Sequence, residues 1–236
     1  MKKIFLSILS FISILSFSIF TVACSDRGTA TEPEDQPADN NVVTVTDIDG
    51  NVYPTVKIGS QLWMAENLRV IHYRNGEAIT SVKGGQVWQL HLTEGYCTYG
   101  DSVENTATYG LLYNWHAVTD KRNLAPTGWH VPSDTEWQIL IDFLGGSSIA
   151  GGEMKDSGGW FNNGNGSNSS EFTALPGGIC YSNGIFNGIG FSASFWSSTG
   201  YSSDGAWNRL LSYVSPGIGR DGGNKLDGIS VRCVRD

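Results

Sequence analysis

Apolar and polar positions first alternate in "VVTVTDIDGNVYPTVKIGSQLWMAENL", residues 42–68, where β-branched runs break at Asp49-Gly50 and at Gly59-Ser60. Asp-Gly suits a tight hairpin turn, so this spacing predicts a meander of strands near 43–47, 52–58 and 61–64. The period then lengthens. In "YGLLYNWHAVTD", Leu111, Leu112, Trp115 and Val118 fall on one side of a helix. In "GWHVPSDTEWQILIDFLGG", residues 128–146, Ser133 and Glu136 have the spacing of a capping box. Trp137, Leu140, Ile141 and Leu144 follow at helical intervals, and Gly145-Gly146 stops the helix. At this periodicity Trp129 and Trp137 read as core rather than as ligand platforms. From Gly151 on the pattern shortens again. "GGWFNNGNGSNSSEF" is a surface loop with two Asn-x-Ser sequons, and strands are expected near 172–175, 178–181, 193–198, 205–211 and 229–234. Helices in the middle of the chain with strands on both sides predict an α+β domain.

Composition changes the picture mainly at the beginning. Residues 1–23, "MKKIFLSILSFISILSFSIFTVA", carry Lys2 and Lys3, then an uncharged apolar and serine-rich run, then small residues before Cys24. This is the pattern of a secretory signal peptide. "TVAC" resembles a bacterial lipobox, with Thr21 in place of the usual leucine. The expectation is a mature chain whose Cys24 carries acyl groups and anchors it to a membrane. Residues 24–41 form the lipidated N-terminus and an acidic linker. The stretch after Cys24 has five acids, two prolines and almost no apolar residue, so it cannot offset its chain entropy by burial. Residues 42–236 have the length of one domain. The formal charge of −8 becomes −10 once Lys2 and Lys3 are removed with the signal. An acidic surface argues against nucleic acid and against adhesion to anionic lipid headgroups.

Candidate chemistry is sparse. Apart from Cys24 the cysteines are Cys97, Cys180 and Cys233, an odd number that permits one disulfide or none. His72, His91, His116 and His130 are scattered without metal-ligand spacing. "DIDGN" alternates Asp47, Asp49 and Asn51 as an EF-hand loop does, but Val52 and Ile58 occupy the places of its glycine and glutamate. A plain turn is expected there. "GFSAS", from Gly190 to Ser194, misses the nucleophile elbow, and "GIGFSA" lacks the βαβ setting of a dinucleotide site. No catalytic, cofactor or metal residue is nominated. What remains is a C-terminal stretch of aromatic, small polar and charged residues. Tyr201, Asp204, Trp207, Arg209, Arg220 and Asp221 are the candidate ligand-binding residues, read as lying on loops, because aromatics offer apolar area at low entropic cost. In the competing reading Trp196 and Trp207 belong to the core. A lectin-type calcium site at Asp221, Asn224 and Asp227 is a minor alternative.

Six blocks occur in order: "TVKIGSQLWMAENLRV", "YGLLYNWHAV", "PTGWHVPSDTEWQILIDFLGG", "FTALPGG", "FWSST" and "GISVRCVRD". Together they resemble the Fibrobacter succinogenes major paralogous domain, a family of bacterial exported and lipoprotein modules. That family is similar in turn to the formylglycine-generating enzyme, or sulfatase-modifying factor, through "PSDTEW" and "GISVRC". The resemblance implies a C-type-lectin-like fold: two helices beside a twisted, mostly antiparallel sheet, rich in loops. The enzyme's copper-holding C-x4-C pair precedes the terminal strand. Here "GAWNRLLSYVSPGIGRDGGNKLDG" contains no cysteine, and Cys233 corresponds to the structural cysteine. The expectation is therefore a non-catalytic lipoprotein of the bacterial cell envelope, at the outer membrane or cell surface, that binds a carbohydrate or a protein. The alternatives are a degenerate or novel enzyme on the same scaffold and a purely structural envelope protein.

Overall fold

A computed structural model describes residues 43–236. The signal segment, Cys24 and the acidic linker lie outside the described residues. The strands, in chain order, are β1 (Thr44–Thr46), β2 (Val52–Ile58), β3 (Gln61–Met64), β4 (Tyr96–Cys97), β5 (Leu112–Tyr113), β6 (Trp129–His130), β7 (Gly177–Cys180), β8 (Phe186–Ile189), β9 (Ser192–Gly200), β10 (Gly205–Ser212), β11 (Ile218–Asn224) and β12 (Val234–Arg235). They make two five-stranded sheets, in the orders β1-β2-β3-β12-β6 and β11-β10-β9-β7-β8, and a small β4-β5 pair. Every strand pairing is antiparallel except β7 with β9. The protein is mostly β and loop-rich, with few helices. Among the described residues no helix is long and apolar enough to cross a membrane.

The first meander forms where the alternation places it. "DIDGN" is a turn built on one carboxylate. Asp47 Oδ1 accepts from the backbone N–H of Asp49 and Asn51 at 2.9 and 3.0 Å, and its Oδ2 accepts from Tyr53 Oη at 2.6 Å. The carboxylate is thus occupied in shaping the turn.

The helices are α1 (Gly85–Leu90), α2 (Glu104–Tyr109), α3 (Trp115–Val118), α4 (Asp134–Phe143) and α5 (Ala150–Met154). Among the described residues only α4 is long, and it begins with the expected capping box. Ser133 Oγ accepts from the Glu136 N–H at 3.3 Å, and Glu136 Oε2 accepts from the Ser133 N–H at 2.8 Å. Its apolar stripe joins the two large sheets. Trp137 packs on Trp63 of β3 with ring centroids 4.8 Å apart and on Phe195 of β9 at 5.8 Å, and its indole N–H donates to Trp196 O at 3.2 Å. A second core on the other side of β9 gathers Tyr53, Met64, Tyr113, Trp129, Trp196 and Val231.

The helix expected over Leu111–Val118 is not there. Gly110, at φ 73°, turns the chain into the extended segment β5, and Tyr113 exchanges backbone hydrogen bonds with Ile229. Asn114 then caps one helical turn, its Oδ1 accepting from the Ala117 N–H at 3.0 Å. Leu112 in β5 and Trp115 and Val118 in α3 thus pack from two different elements, where sequence spacing had assigned them to one. The strand expected at 172–175 is also absent. Glu171 and Thr173 take left-handed backbone, and a single bridge joins Ala174 to Lys155. The segment 229–234 makes isolated bridges before β12 begins. Conversely, β11, "IGRDGGN", is a strand that its glycines concealed.

Candidate functional site

Strands β9, β10 and β11 form a long antiparallel ribbon whose register places Asn208 opposite Asp221, Arg209 opposite Arg220, and Ser212 opposite Ser192. Successive side chains of a strand point to opposite faces. The face bearing Phe195, Leu211 and Ile218 packs in the α4 core. The opposite, outer face carries Ser192, Ser194, Asn208, Leu210, Ser212 and Asp221. There the sheet forms a cleft of about 400 Å³, rimmed by Ile179, Tyr181 and Asp227. That volume is at the small end of ligand sites.

Much of the lining is polar, and its Ser194, Asn208 and Asp221 side chains are not engaged in internal bonds among the described residues. Asn208 is only 5% exposed and Ser194 6%. Neither side chain makes a hydrogen bond among the described residues, and their polar atoms are open to the cleft rather than sealed in the core. Trp196, fixed by its indole N–H on Tyr113 O at 2.8 Å, lies behind them. Gly223 leaves room for both: a Cβ there would stand 2.7 Å from the Trp196 ring and 3.1 Å from Asn208 Nδ2. Asp227 is different. Its two oxygens accept from the Ser182 and Asn224 N–H groups at 2.7 and 2.9 Å, and burial pushes its carboxyl above the ordinary range despite those bonds. It shapes the rim. Asn224 Oδ1 likewise accepts from the Leu226 N–H at 2.9 Å. The Asp221, Asn224 and Asp227 triad is therefore not assembled as a cation cage, and among the described residues no group of three or more His, Cys, Asp or Glu could hold a metal.

The residues singled out from sequence divide between two faces, on strands rather than loops for four of the six. Only Asp221 lines the cleft. Asp204 is exposed in the turn after β9, where its carbonyl accepts from the Lys225 N–H at 2.8 Å. Tyr201, Trp207, Arg209 and Arg220 lie on the α4 face. Tyr201 lies over Gly205 and Gly222, where a Cβ would meet its ring at 2.3 and its hydroxyl at 2.5 Å. It packs on Trp207 with centroids 4.5 Å apart, and the Arg220 guanidinium sits 3.4 Å from the Trp207 centroid. Arg220 Nη2 reaches Asp134 Oδ2 at 2.8 Å. Arg209 is the correction: its side chain is fully buried. Nη2 donates to Asp134 O at 3.1 Å, and Nη1 lies 2.8 Å from Asp134 Oδ1, close enough for an ion pair but too oblique for a hydrogen bond. Burial lowers its pKa against the opposing pull of Asp134. Arg209 ties β10 to the first turn of α4 and offers nothing to a ligand. Ser194, Asn208 and Tyr181 were missed. The signal was present as period-two alternation in "SASFWSS" and "NRLLS", which puts serine and asparagine on one face.

Two smaller hollows are lined by arginines already bonded within the fold. One of about 260 Å³ beside Arg74 is lined by a guanidinium already donating to Ala125 O, Pro126 O and Trp129 O at 3.0, 2.6 and 2.8 Å. Another of about 210 Å³ abuts Arg232, which is buried and donates to Asn67 Oδ1 at 2.6 Å and Thr173 O at 2.9 Å. Both arginines serve the fold.

Residues 56–235 match the family described as the Fibrobacter succinogenes major domain. No curated protein and no solved structure matches the chain.

Proposed function

The chain belongs to the Fibrobacter succinogenes major domain family, and we propose that it is a non-catalytic binding module whose ligand is a carbohydrate held in the cleft over β9, β10 and β11. One observation carries this reading: Asn208 and Ser194 make no side-chain hydrogen bond among the described residues, and they face a cleft that also offers the Asp221 carboxylate and the Tyr181 ring. Neutral donors and acceptors, one carboxylate and one aromatic are a set that matches sugar hydroxyls and an apolar sugar face. The same reading takes the fold as C-type-lectin-like. It takes residues 1–23 as a signal peptide and Cys24 as the acylated anchor that holds the domain at the bacterial cell surface. The lipid is then the membrane partner.

The described residues fall within one compact unit, Asn41–Asp236, which suits expression without the leader. A glycan array of this unit is the first experiment, followed by titration of any glycan retained. Asp221→Asn and Asn208→Ala are expected to weaken binding at least tenfold while leaving the melting temperature in place. Retention of full affinity by both variants would remove the cleft from the proposal. A second reading, a protein ligand on the Tyr201, Trp207 and Arg220 face, is favoured by the exposure of Tyr201 (49%). Loss of binding in Arg220→Ala with Asp221→Asn unaffected would select it.

A further inference from the structure

Three cysteines carry free thiols among the described residues, and all three are buried. They are not equivalent. Cys233 lies in the core with Tyr53, Met64 and Val231. Cys97 and Cys180 share a separate small cluster with Val82, Trp88 and Leu112. The topology explains why two residues so far apart in sequence meet. Cys97 of β4 stands opposite Leu112 of β5, and Cys180 at the end of β7 bridges to Gly228. Gly228 has no side chain where the cluster converges. A Cβ there would lie 3.0 Å from the Trp88 ring, 3.2 Å from Cys180 Cβ and 3.3 Å from Leu112 Cβ. The nearby Cys180 thiol together with burial pushes Cys97 well above the ordinary thiol range, and Cys180 Sγ itself donates to Tyr181 O at 3.7 Å.

We propose that Cys97 and Cys180 are a disulfide-forming pair that closes during oxidative folding, while Cys233 remains a free thiol. The arrangement sorts the three cysteines of the described residues: two thiols share a cluster, and the third is walled off. The oxidant is a disulfide, either a small molecule such as glutathione disulfide or an exchange partner of the same class. One cysteine thiolate attacks it and releases one thiol, giving a mixed disulfide. The other cysteine thiolate attacks the mixed disulfide, forms the Cys97–Cys180 bond and releases the second thiol. Two electrons pass to the oxidant, and the protons lost from the two cysteines are taken up by the released thiolates. Thiolates are the attacking species and buried neutral thiols are inert, so closure precedes burial of the cluster. The cross-link would tie β4 to the end of β7, next to Tyr181 and to the Asp227 rim. The pairing stands on packing alone and is independent of the ligand reading.

The test uses the full chain in detergent, denatured, reduced and refolded with a glutathione redox buffer. Free thiols are then alkylated in denaturant and the unreduced peptides are mapped. The expected product is a linked pair of peptides containing Cys97 and Cys180, lighter by two hydrogens, with Cys233 alkylated. Reductant should lower the melting temperature of the refolded wild type by roughly 10 °C, because the closed loop is long. Cys97→Ser and Cys180→Ser should each melt low and be indifferent to reductant, and Cys233→Ser should keep the reductant response. A merely well-packed thiol pair would make the serine variants melt low but would leave the wild type insensitive to reductant. That result, alkylation at Cys97 and Cys180, or a link to Cys233 would each overturn the proposal.

Discussion

Asn208 and Arg209 are adjacent in the chain and opposite in circumstance. Both are almost wholly removed from solvent. Arg209 points toward α4, where Asp134 meets its charge and the helix is fastened to the sheet. Asn208 points the other way and meets no protein partner, only the cleft. The two faces of the ribbon β9, β10 and β11 repeat this contrast. On the α4 face, Tyr201, Trp207, Arg220 and Asp134 satisfy one another. On the outer face, Ser194, Asn208 and Asp221 leave donors and acceptors open. A concentration of aromatic and charged residues therefore marks the self-contained face here, and the plain serine and asparagine positions mark the open one. The long side chains of Tyr201, Trp207 and Arg220 reach one another across the ribbon, whereas the short side chains of Ser194 and Asn208 do not reach a partner.

The contrast can be broken by substitution. The largest loss is expected from the α4 side. Trp137→Ala removes a buried ring that touches both sheets, and large aromatic truncations in cores cost about 3–5 kcal/mol. Denaturant unfolding would measure it, and a loss below that of the Arg209 variant would mean that α4 is not the hinge of the core. Arg209→Ala comes next. Breaking a buried ion pair strands its partner at a cost of several kcal/mol, here reduced to about 2–3 kcal/mol because Asp134 keeps Arg220. A melt of Arg209→Ala indistinguishable from the wild type would restore Arg209 to the ligand face.

Asn208→Ala should do almost nothing to stability. Its amide has no protein partner to leave unsatisfied, so the change stays within about 0.5 kcal/mol. Comparing it with Arg209→Ala in the same unfolding series isolates the effect of facing direction, since the two positions are consecutive on one strand. A loss at Asn208 equal to that at Arg209 would mean that the amide is bonded through the cleft and is structural.

How much of this was legible beforehand depends on how local the cause was. The Ser133 cap, the stripe of Trp137, Leu140 and Ile141, and the hairpin at Asp49-Gly50 were readable because each is settled within a few residues. The helix expected over Leu111–Val118 failed because its decisive partner, Ile229, is far along the chain and claims Tyr113 for a bridge. β11 was hidden because its pairing with β10 supplies an order that "IGRDGGN" does not encode by propensity. The site followed the same rule. Asp221 could be named from its type, but its neighbours Ser194 and Asn208 acquire significance only when the ribbon turns them to one face.

The smallest effect belongs to pH, and on the α4 side it runs through His130. His130 Nε2 lies 2.7 Å from Glu136 Oε1 and its Nδ1 lies 2.6 Å from Asp236 Oδ1. Burial pulls the His130 pKa down, but the hydrogen bonds to Asp236 and Glu136 outweigh it and leave it raised. Burial likewise pushes Glu136 up, but its bonds to Ser133 and His130 leave it lowered. A raised histidine contributes stability that is complete below its unfolded pKa and is lost as pH rises through the folded one. A lowered carboxylate contributes above its unfolded pKa and loses that as pH falls through the folded one. Both contributions are present together between about pH 5 and pH 6, given ordinary values near 4.3 and 6.5. The melting temperature of the wild type should therefore exceed that of His130→Gln most in that window, and the gap should shrink as pH rises above neutrality. With His130 more than a third exposed, solvent screening holds the gap to about one or two degrees. Asn208→Ala, melted across the same range, should differ from the wild type by a constant amount. A His130→Gln difference that stayed flat with pH would remove the His130–Glu136–Asp236 network from the stability of the α4 side, whereas a pH-dependent Asn208→Ala difference would couple the cleft to the Asp227 carboxyl.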